Sequence, residues 1–342
     1  MSVHVRNELK HQTSANNIIN SIDGWDMKFQ IECANAFKDW CAANLLAERH
    51  CDTLMKMASG YIKANINTAV EDELSNEDSV PANYVKAWEE LFVELSESVT
   101  EDCLKTEVVP TIKSLIDLKH KVAVRKHGVS LLIRAWLRYD EGTILEHFKG
   151  PMLYWWRDLN WNIRLAICEG VPKIANLLSK DNCIDIFYCE LVEFLNDVEI
   201  LVRLAAIEAV LEIFDMLTVD QIKTDFVPVV QQHLNLEIDE ACNSRMSKCI
   251  GKITFNLLNF SEVTSELNDD LLKYFKQLVE MDGADIVHNV WYNLPGMYLI
   301  FNKGELDFAD ILGKYIASKD TAVRLQVAKW FHEIVGISGM GK

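Results

Sequence analysis

LVRLAAIEAVLEIF, residues 201–214, decides the fold. After Arg203 its polar residues, together with Asp215 just beyond, are Glu208, Glu212 and Asp215, four and three apart. On an α-helix they form one narrow stripe, and every other side is apolar. Such a helix must be packed on several sides at once, as an inner helix of a stacked array is. Arg203 is also one of a series: Arg125, Arg164, Arg203, Arg245 and Arg324 each precede an apolar, helix-favouring run. The gaps are 39, 39, 42 and 79 residues, and His288 stands near the register that the last gap skips. A period of about 40 residues is the length of a two-helix repeat, and 342 residues hold about eight of them.

A second marker precedes the arginines. Asp158, Asp197 and Asp239 each stand six residues before Arg164, Arg203 and Arg245; Asp282 stands six before His288, and Asp320 four before Arg324. An aspartate there caps the second helix of a pair or faces the arginine of an adjacent repeat in a ladder of charges. The first helices repeat as well. TEDCLKTEVVP (100–110) aligns without gaps on TVDQIKTDFVP (218–228), at an offset of 118 residues, three periods. Thr218 with Gln221 three residues on reads as a capping box, and Pro110 and Pro228 are expected to kink their helices.

Second helices are thus expected near Lys86, Arg125, Arg164, Arg203, Arg245, His288 and Arg324, with a poorer unit around 27–46. The expected fold class is all-α, a HEAT-like α-solenoid: a right-handed superhelix of antiparallel helix pairs. The expected organisation is an irregular N-terminal helical region over 1–70, an acidic loop insertion (EDELSNEDSVP) over 71–81, regular repeats over 82–336, and a flexible tail over 337–342. The tail, GISGMGK, shows no polar capping repeat, so the array reads as truncated there.

Composition agrees and excludes. Hydrophobic residues make up 49% of the chain, with only 14 Gly and 6 Pro, which suits a continuous helical core and not a turn-rich β fold. Nine cysteines, an odd number without C-x-x-C spacing and without a preceding signal peptide, are expected to be reduced thiols of a cytoplasmic protein. The least charged stretch, 286–302, holds a His, three Asn, a Pro and a Gly and is too short and polar for a membrane span. A net charge of −17 argues against nucleic acid as partner. Residues 71–107 carry twelve Asp and Glu against Lys86 and Lys105, followed by Lys119, His120, Lys121, Arg125, Lys126 and His127. The plain reading is a face neutralised by its neighbour; the sharper one is an acidic site for a basic partner segment.

With its Asp-x5-Arg turns and VRLAAIEAVLEI helix, the chain resembles the HEAT-repeat family over 82–336. The DQIKTDFVPVV segment before a VR-type helix is similar to scaffold and regulatory subunits of phosphatase 2A-type Ser/Thr phosphatases, nearest to phosphatase 4 regulatory subunits of the subunit-4 type, chiefly over 97–250. The resemblance implies a non-catalytic subunit that holds a Ser/Thr phosphatase catalytic subunit and steers it to substrates, with the turns inside each repeat as the binding ridge. On this chain those turns are 119–122, 156–162, 196–200, 237–242 and 319–321. Candidate partner-binding residues are Trp155, Trp156, Arg157 and Trp161 around one turn, and Lys119 and Lys121 at another; Trp and Arg bury large area while offering donors. Two of these tryptophans filling the core is the plainer alternative. The other function class is a trafficking or transport adaptor that holds basic cargo on the acidic surface.

Catalytic chemistry is not evident. Gly336, Gly341 and Lys342 spell G-x-x-x-x-G-K, but a helical pattern precedes them and no Ser or Thr with a helix follows, as phosphate binding requires. His50 and Cys51 have no second pair at zinc spacing. No enzyme activity, cofactor or metal is expected.

Overall fold

Helices open where a short polar side chain takes up the free N–H groups of a first turn. In a computed structural model that describes residues 14–73, 79–234, 240–258, 265–281, 283–301 and 308–338, Asp26, Ser79, Thr100, Asp140 and Asn160 each accept a backbone N–H of the helix they precede. The Thr218–Gln221 capping box is present. The described residues contain no strand, and the chain is an all-α, HEAT-like α-solenoid that divides into two units, Met1–Asn182 and Cys183–Lys342.

The first unit contains α1 (Met27–Ala42), α2 (Glu48–Glu73), α3 (Val80–Leu95), α4 (101–116), α5 (Val122–Trp136), α6 (Glu141–His147), α7 (Lys149–Trp155) and α8 (Trp161–Ile174). α2 packs against α3, α4 against α5, and α5 against α8, so that α1, α3, α5 and α8 form one layer of second helices. Phe37, Trp88, Phe92, Trp136, Phe148 and Trp156 are all 1% exposed or less and fill the space between the layers. Such large buried side chains contribute about 3–5 kcal/mol each against truncation. Gly128 sets how closely α5 lies on α4: a Cβ there would meet Ile116 Cγ1 at 2.7 Å and the Ile116 backbone nitrogen at 3.1 Å. Gly128→Val is therefore expected to cost about 1–3 kcal/mol by overpacking, read as a lower urea midpoint; an unchanged midpoint would mean the pair of helices can part freely.

The second unit contains α9 (184–195), α10 (Ile200–Glu212), α11 (219–234), α12 (Glu240–Leu258), α13 (Ser265–Val279), α14 (Ala284–Ile300), α15 (Phe308–Ile316) and α16 (Thr321–Ser338). α10, α12, α14 and α16 pack in succession as its second helices. α10 is the LVRLAAIEAVLEI segment, and Val202, Leu204, Ala205, Ala206, Ile207 and Val210 are all 1% exposed or less. Every position expected to mark a second helix lies in one: Lys86 in α3, Arg125 in α5, Arg164 in α8, Arg203 in α10, Arg245 in α12, His288 in α14 and Arg324 in α16. Where His288 replaces the arginine, carboxamides tie the layer together instead. Asn289 Nδ2 donates to Ser247 Oγ at 3.0 Å and Asn293 Nδ2 to the Ser247 carbonyl at 2.9 Å.

The first helices carry a local irregularity beside the prolines expected to kink them. Before Pro110 and Pro228 the backbone makes a single π turn, 104–108 and 222–226, closed by Val109 N–H on the Leu104 carbonyl and Val227 N–H on the Ile222 carbonyl. The wider ring eases the clash of the proline with the preceding turn. A third π turn, 184–188, precedes Cys189 and Glu190, so the feature belongs to the repeat and not to proline alone.

Candidate functional site

The turn that joins the helices of a repeat is built the same way in several units. Asp117, Asp158, Asp197 and Asp320 each accept, through Oδ1, the backbone N–H two residues on, at 2.8–2.9 Å. This Asx turn closes the corner. At two of these corners the arginine six residues on then reaches back to the corner's carbonyls. Arg164 Nη1 donates to Asp158 O and Leu159 O at 2.9 and 3.2 Å, and Arg203 Nη1 to Asp197 O and Val198 O at 2.7 and 3.1 Å. Arg324 Nη1 donates to Ser318 O at 2.7 Å. So Arg164, Arg203 and Arg324 take up turn carbonyls, while the aspartate shapes the turn more than it caps the helix.

At three of these corners sits an exposed aliphatic side chain, its carbonyl held by an arginine at Leu159 and Val198. Leu118, Leu159 and Val198 each follow the turn aspartate directly, and they are 50%, 90% and 87% exposed. Single exposed aliphatics are ordinary, but here they recur at one position of a fixed turn. Asp-Leu or Asp-Val just ahead of three second helices was the signal in the sequence.

The charge ladder takes two forms. Arg125 Nη1 reaches Asp158 Oδ2 of the next turn at 2.5 Å, with the two side chains only 8% and 3% exposed. Arg245 instead pairs with Glu208 on α10 at 2.9 Å, and Lys252 pairs with Glu212 at 2.8 Å. The polar stripe of α10 is thus an ion-pair seam to α12. Arg203 Nε donates to Nε2 of the fully buried His233, whose Nδ1–H donates to the Val229 carbonyl at 2.7 Å. Burial pushes the His233 pKa below its ordinary 6.5. Asp239 and Asp282 lie outside the described residues.

The tryptophan turn needs a correction. Trp155 and Trp156 are 4% and 1% exposed, core side chains and not a contact surface, because burying such large ring surfaces outweighs what the indole N–H gains at the surface. Trp161 opens α8 half-buried, and Arg157 is exposed. Lys119 is exposed, with Nζ 3.8 Å from Asp117 Oδ2, and Lys121 is paired with Glu71.

Residues 71–107 are largely spoken for within the chain. His127 lies 3.3 Å from both Glu73 and Glu89, Arg134 2.7 Å from Glu90, and Arg138 3.7 Å from Glu97 while also holding Glu94. Lys105 holds Glu101 at 2.5 Å. The hydrogen bond to the buried Glu89 carries the His127 pKa up to about 9 against the opposing effect of burial. His127 is therefore a cation at neutral pH and stabilises α3 against α5. Since the folded value is raised, that contribution is complete below about 6.5 and fades as pH rises through about 9. His127→Gln is expected to flatten the loss of stability between pH 7 and 9 in urea titrations; an unchanged slope would contradict the pairing.

These features define a class: a helical repeat protein with rigid, exposed intra-repeat turns, charges spread along its surface, and, among the described residues, no helix apolar and long enough to cross a membrane. Comparison with known proteins gives the same class and one relation within it. The chain is similar to serine/threonine-protein phosphatase 4 regulatory subunit 4 of Homo sapiens and of Mus musculus, 22% identical in each case over 194 residues, 56% of this chain. That match spans only 22% of either relative's length. Among solved structures, the karyopherin Kap121p bound to RanGTP superposes with a TM-score of 0.62 at 10% identity, over 95% of this chain and 33% of that one. Kap121p bound to the extreme C-terminus of the protein phosphatase Cdc14p gives 0.58 at 13% identity, over 97% and 38%. The karyopherin likeness is one of fold. No family model matches the chain.

Proposed function

We propose that the chain is a non-catalytic scaffold or regulatory subunit that binds a Ser/Thr protein phosphatase catalytic subunit, of the phosphatase 4 type, and positions it for substrates. The observation that carries this reading is the recurring turn: Leu118, Leu159 and Val198 each follow an aspartate that closes the corner, and at Leu159 and Val198 an arginine also holds the carbonyl. A preformed contact loses little conformational freedom on binding, which is what a holding surface requires. The similarity to phosphatase 4 regulatory subunit 4 supplies the partner class. Leu118 and Leu159 of the first unit, with Lys119 and Arg157 beside them, are the proposed contacts, while Trp155 and Trp156 lie in the core. A transport adaptor holding basic cargo draws less support, because Glu71, Glu73, Glu89, Glu90 and Glu94 of the acidic stretch are already paired with Lys121, His127, Arg134 and Arg138.

The test is affinity capture of the tagged chain from cytosol, with phosphatase catalytic subunits quantified. Stoichiometric recovery that survives neutralising Glu90, Glu94 and Glu97 is the expected result. Recovery of basic cargo without any phosphatase would overturn the reading.

A further inference from the structure

Away from the turns, α1 and α3 enclose a groove of about 600 Å³ on the first unit. One wall carries Lys28, Asn35 and Lys38 from α1, the other Asn83 and Lys86 from α3, and Ile31 and Ala87 lie between them. Lysines without an ion-pair partner among the described residues occur elsewhere on the unit, Lys56, Lys113 and Lys126 for example, but here three of them line one groove. Lys105, Lys121, Arg125, Arg134 and Arg138 all sit within 4 Å of a carboxylate. None of the three groove lysines has an ion-pair partner among the described residues. The groove also contains Glu32 and Glu90, but Glu90 is held by Arg134 at 2.7 Å. Three cations therefore face one unclaimed carboxylate, in a chain whose net charge is −17.

Asn35 and Asn83 make no side-chain hydrogen bond among the described residues. Each carboxamide offers a donor and an acceptor together, the pair of functions that an extended peptide backbone presents at every residue. Lys28 and Lys38 are ten positions apart on α1, about 15 Å at 1.5 Å per residue. That length matches roughly five residues of extended chain. We infer that the groove between α1 and α3 binds a short, extended, acidic segment of a partner protein, its carboxylates on Lys28, Lys38 and Lys86 and its backbone on Asn35 and Asn83. A bare anion would use the lysines but not the carboxamides.

Fluorescence anisotropy with the full chain tests this, using a labelled peptide that alternates glutamate with glycine. Its glutamine counterpart and labelled polyphosphate serve as the other two probes. The glutamate peptide is expected to bind saturably. Lys28→Glu with Lys86→Glu should weaken it at least about tenfold, a loss on the scale of two reversed charge contacts. Lys126→Glu, an exposed lysine of α5, should leave it unchanged. Asn35→Ala should weaken the peptide and not polyphosphate. All the substituted side chains lie at or near the surface, and circular dichroism melting confirms that each variant folds. No saturable binding at millimolar peptide would overturn the inference. So would equal loss on Lys126→Glu, or polyphosphate binding as tight as the glutamate peptide and equally blind to Asn35→Ala.

Discussion

Asp158→Ala is expected to lower the unfolding free energy of the first unit by about 3–5 kcal/mol, the range for stranding one partner of a buried ion pair. Its carboxylate does two things at once. Oδ2 takes the Arg125 guanidinium at 2.5 Å, and Oδ1 takes the Asn160 N–H at 2.8 Å and closes the turn. Arg125 is 8% exposed in its side chain, and its Nε is already buried without a partner. Removing the carboxylate leaves a charge that water cannot reach. Arg125→Met combined with Asp158→Ala should be less damaging than Asp158→Ala alone, because an apolar side chain of similar length leaves no buried charge. Urea titration of the three variants by circular dichroism measures this. A loss under about 1 kcal/mol for Asp158→Ala, or a double variant worse than the single, would show that the pair is not the buried link between repeats described above.

The second large effect concerns binding and not stability. Leu118→Asp with Leu159→Asp is expected to weaken phosphatase binding by about a hundredfold or more while leaving the urea midpoint within error of wild type. Both side chains face solvent, at 50% and 90% exposure, so the folded chain loses almost no buried area. A partner that covers them gains about 1.5–3 kcal/mol for each leucine buried, and two such losses correspond to a hundredfold or more in Kd. Trp156→Ala gives the contrast. At 1% exposure it should cost about 3–5 kcal/mol of stability and affect binding only through unfolding.

Much of the fold was legible because repetition multiplies weak signals. One Asp-x5-Arg is unremarkable, whereas Asp158–Arg164 and Asp197–Arg203 at the same spacing mark a turn and the start of a helix. The capping box at Thr218 was readable from its own Thr-x-x-Gln spacing. The π turns were not, since nothing in LKTEV, IDIFY or IKTDF departs from ordinary helix-forming sequence; only the proline two residues past two of them hinted at irregularity. The neutralised acidic face was foreseen from the basic run at 119–127, yet Arg134 and Arg138, beyond that run, make several of its contacts.

The candidate site was half legible. The turns could be placed from the period, but hydropathy assigns Leu159 and Val198 to a core and gives Trp155 and Trp156 an equal claim to the surface. What separates them is geometry: with the Leu159 and Val198 carbonyls bonded to arginines their side chains face solvent, while Trp155 and Trp156 are buried. Side-chain direction across a clamped turn depends on contacts some five to six residues away, which composition and periodicity do not encode.

The most direct test of the central claim is a calorimetric titration of purified phosphatase 4 catalytic subunit into this chain and into its Leu118→Asp, Leu159→Asp variant. The account predicts one-to-one binding to the wild-type chain and a loss of about a hundredfold or more in the variant, with both proteins equally folded. Equal affinity for the two, or no binding to either, would contradict it.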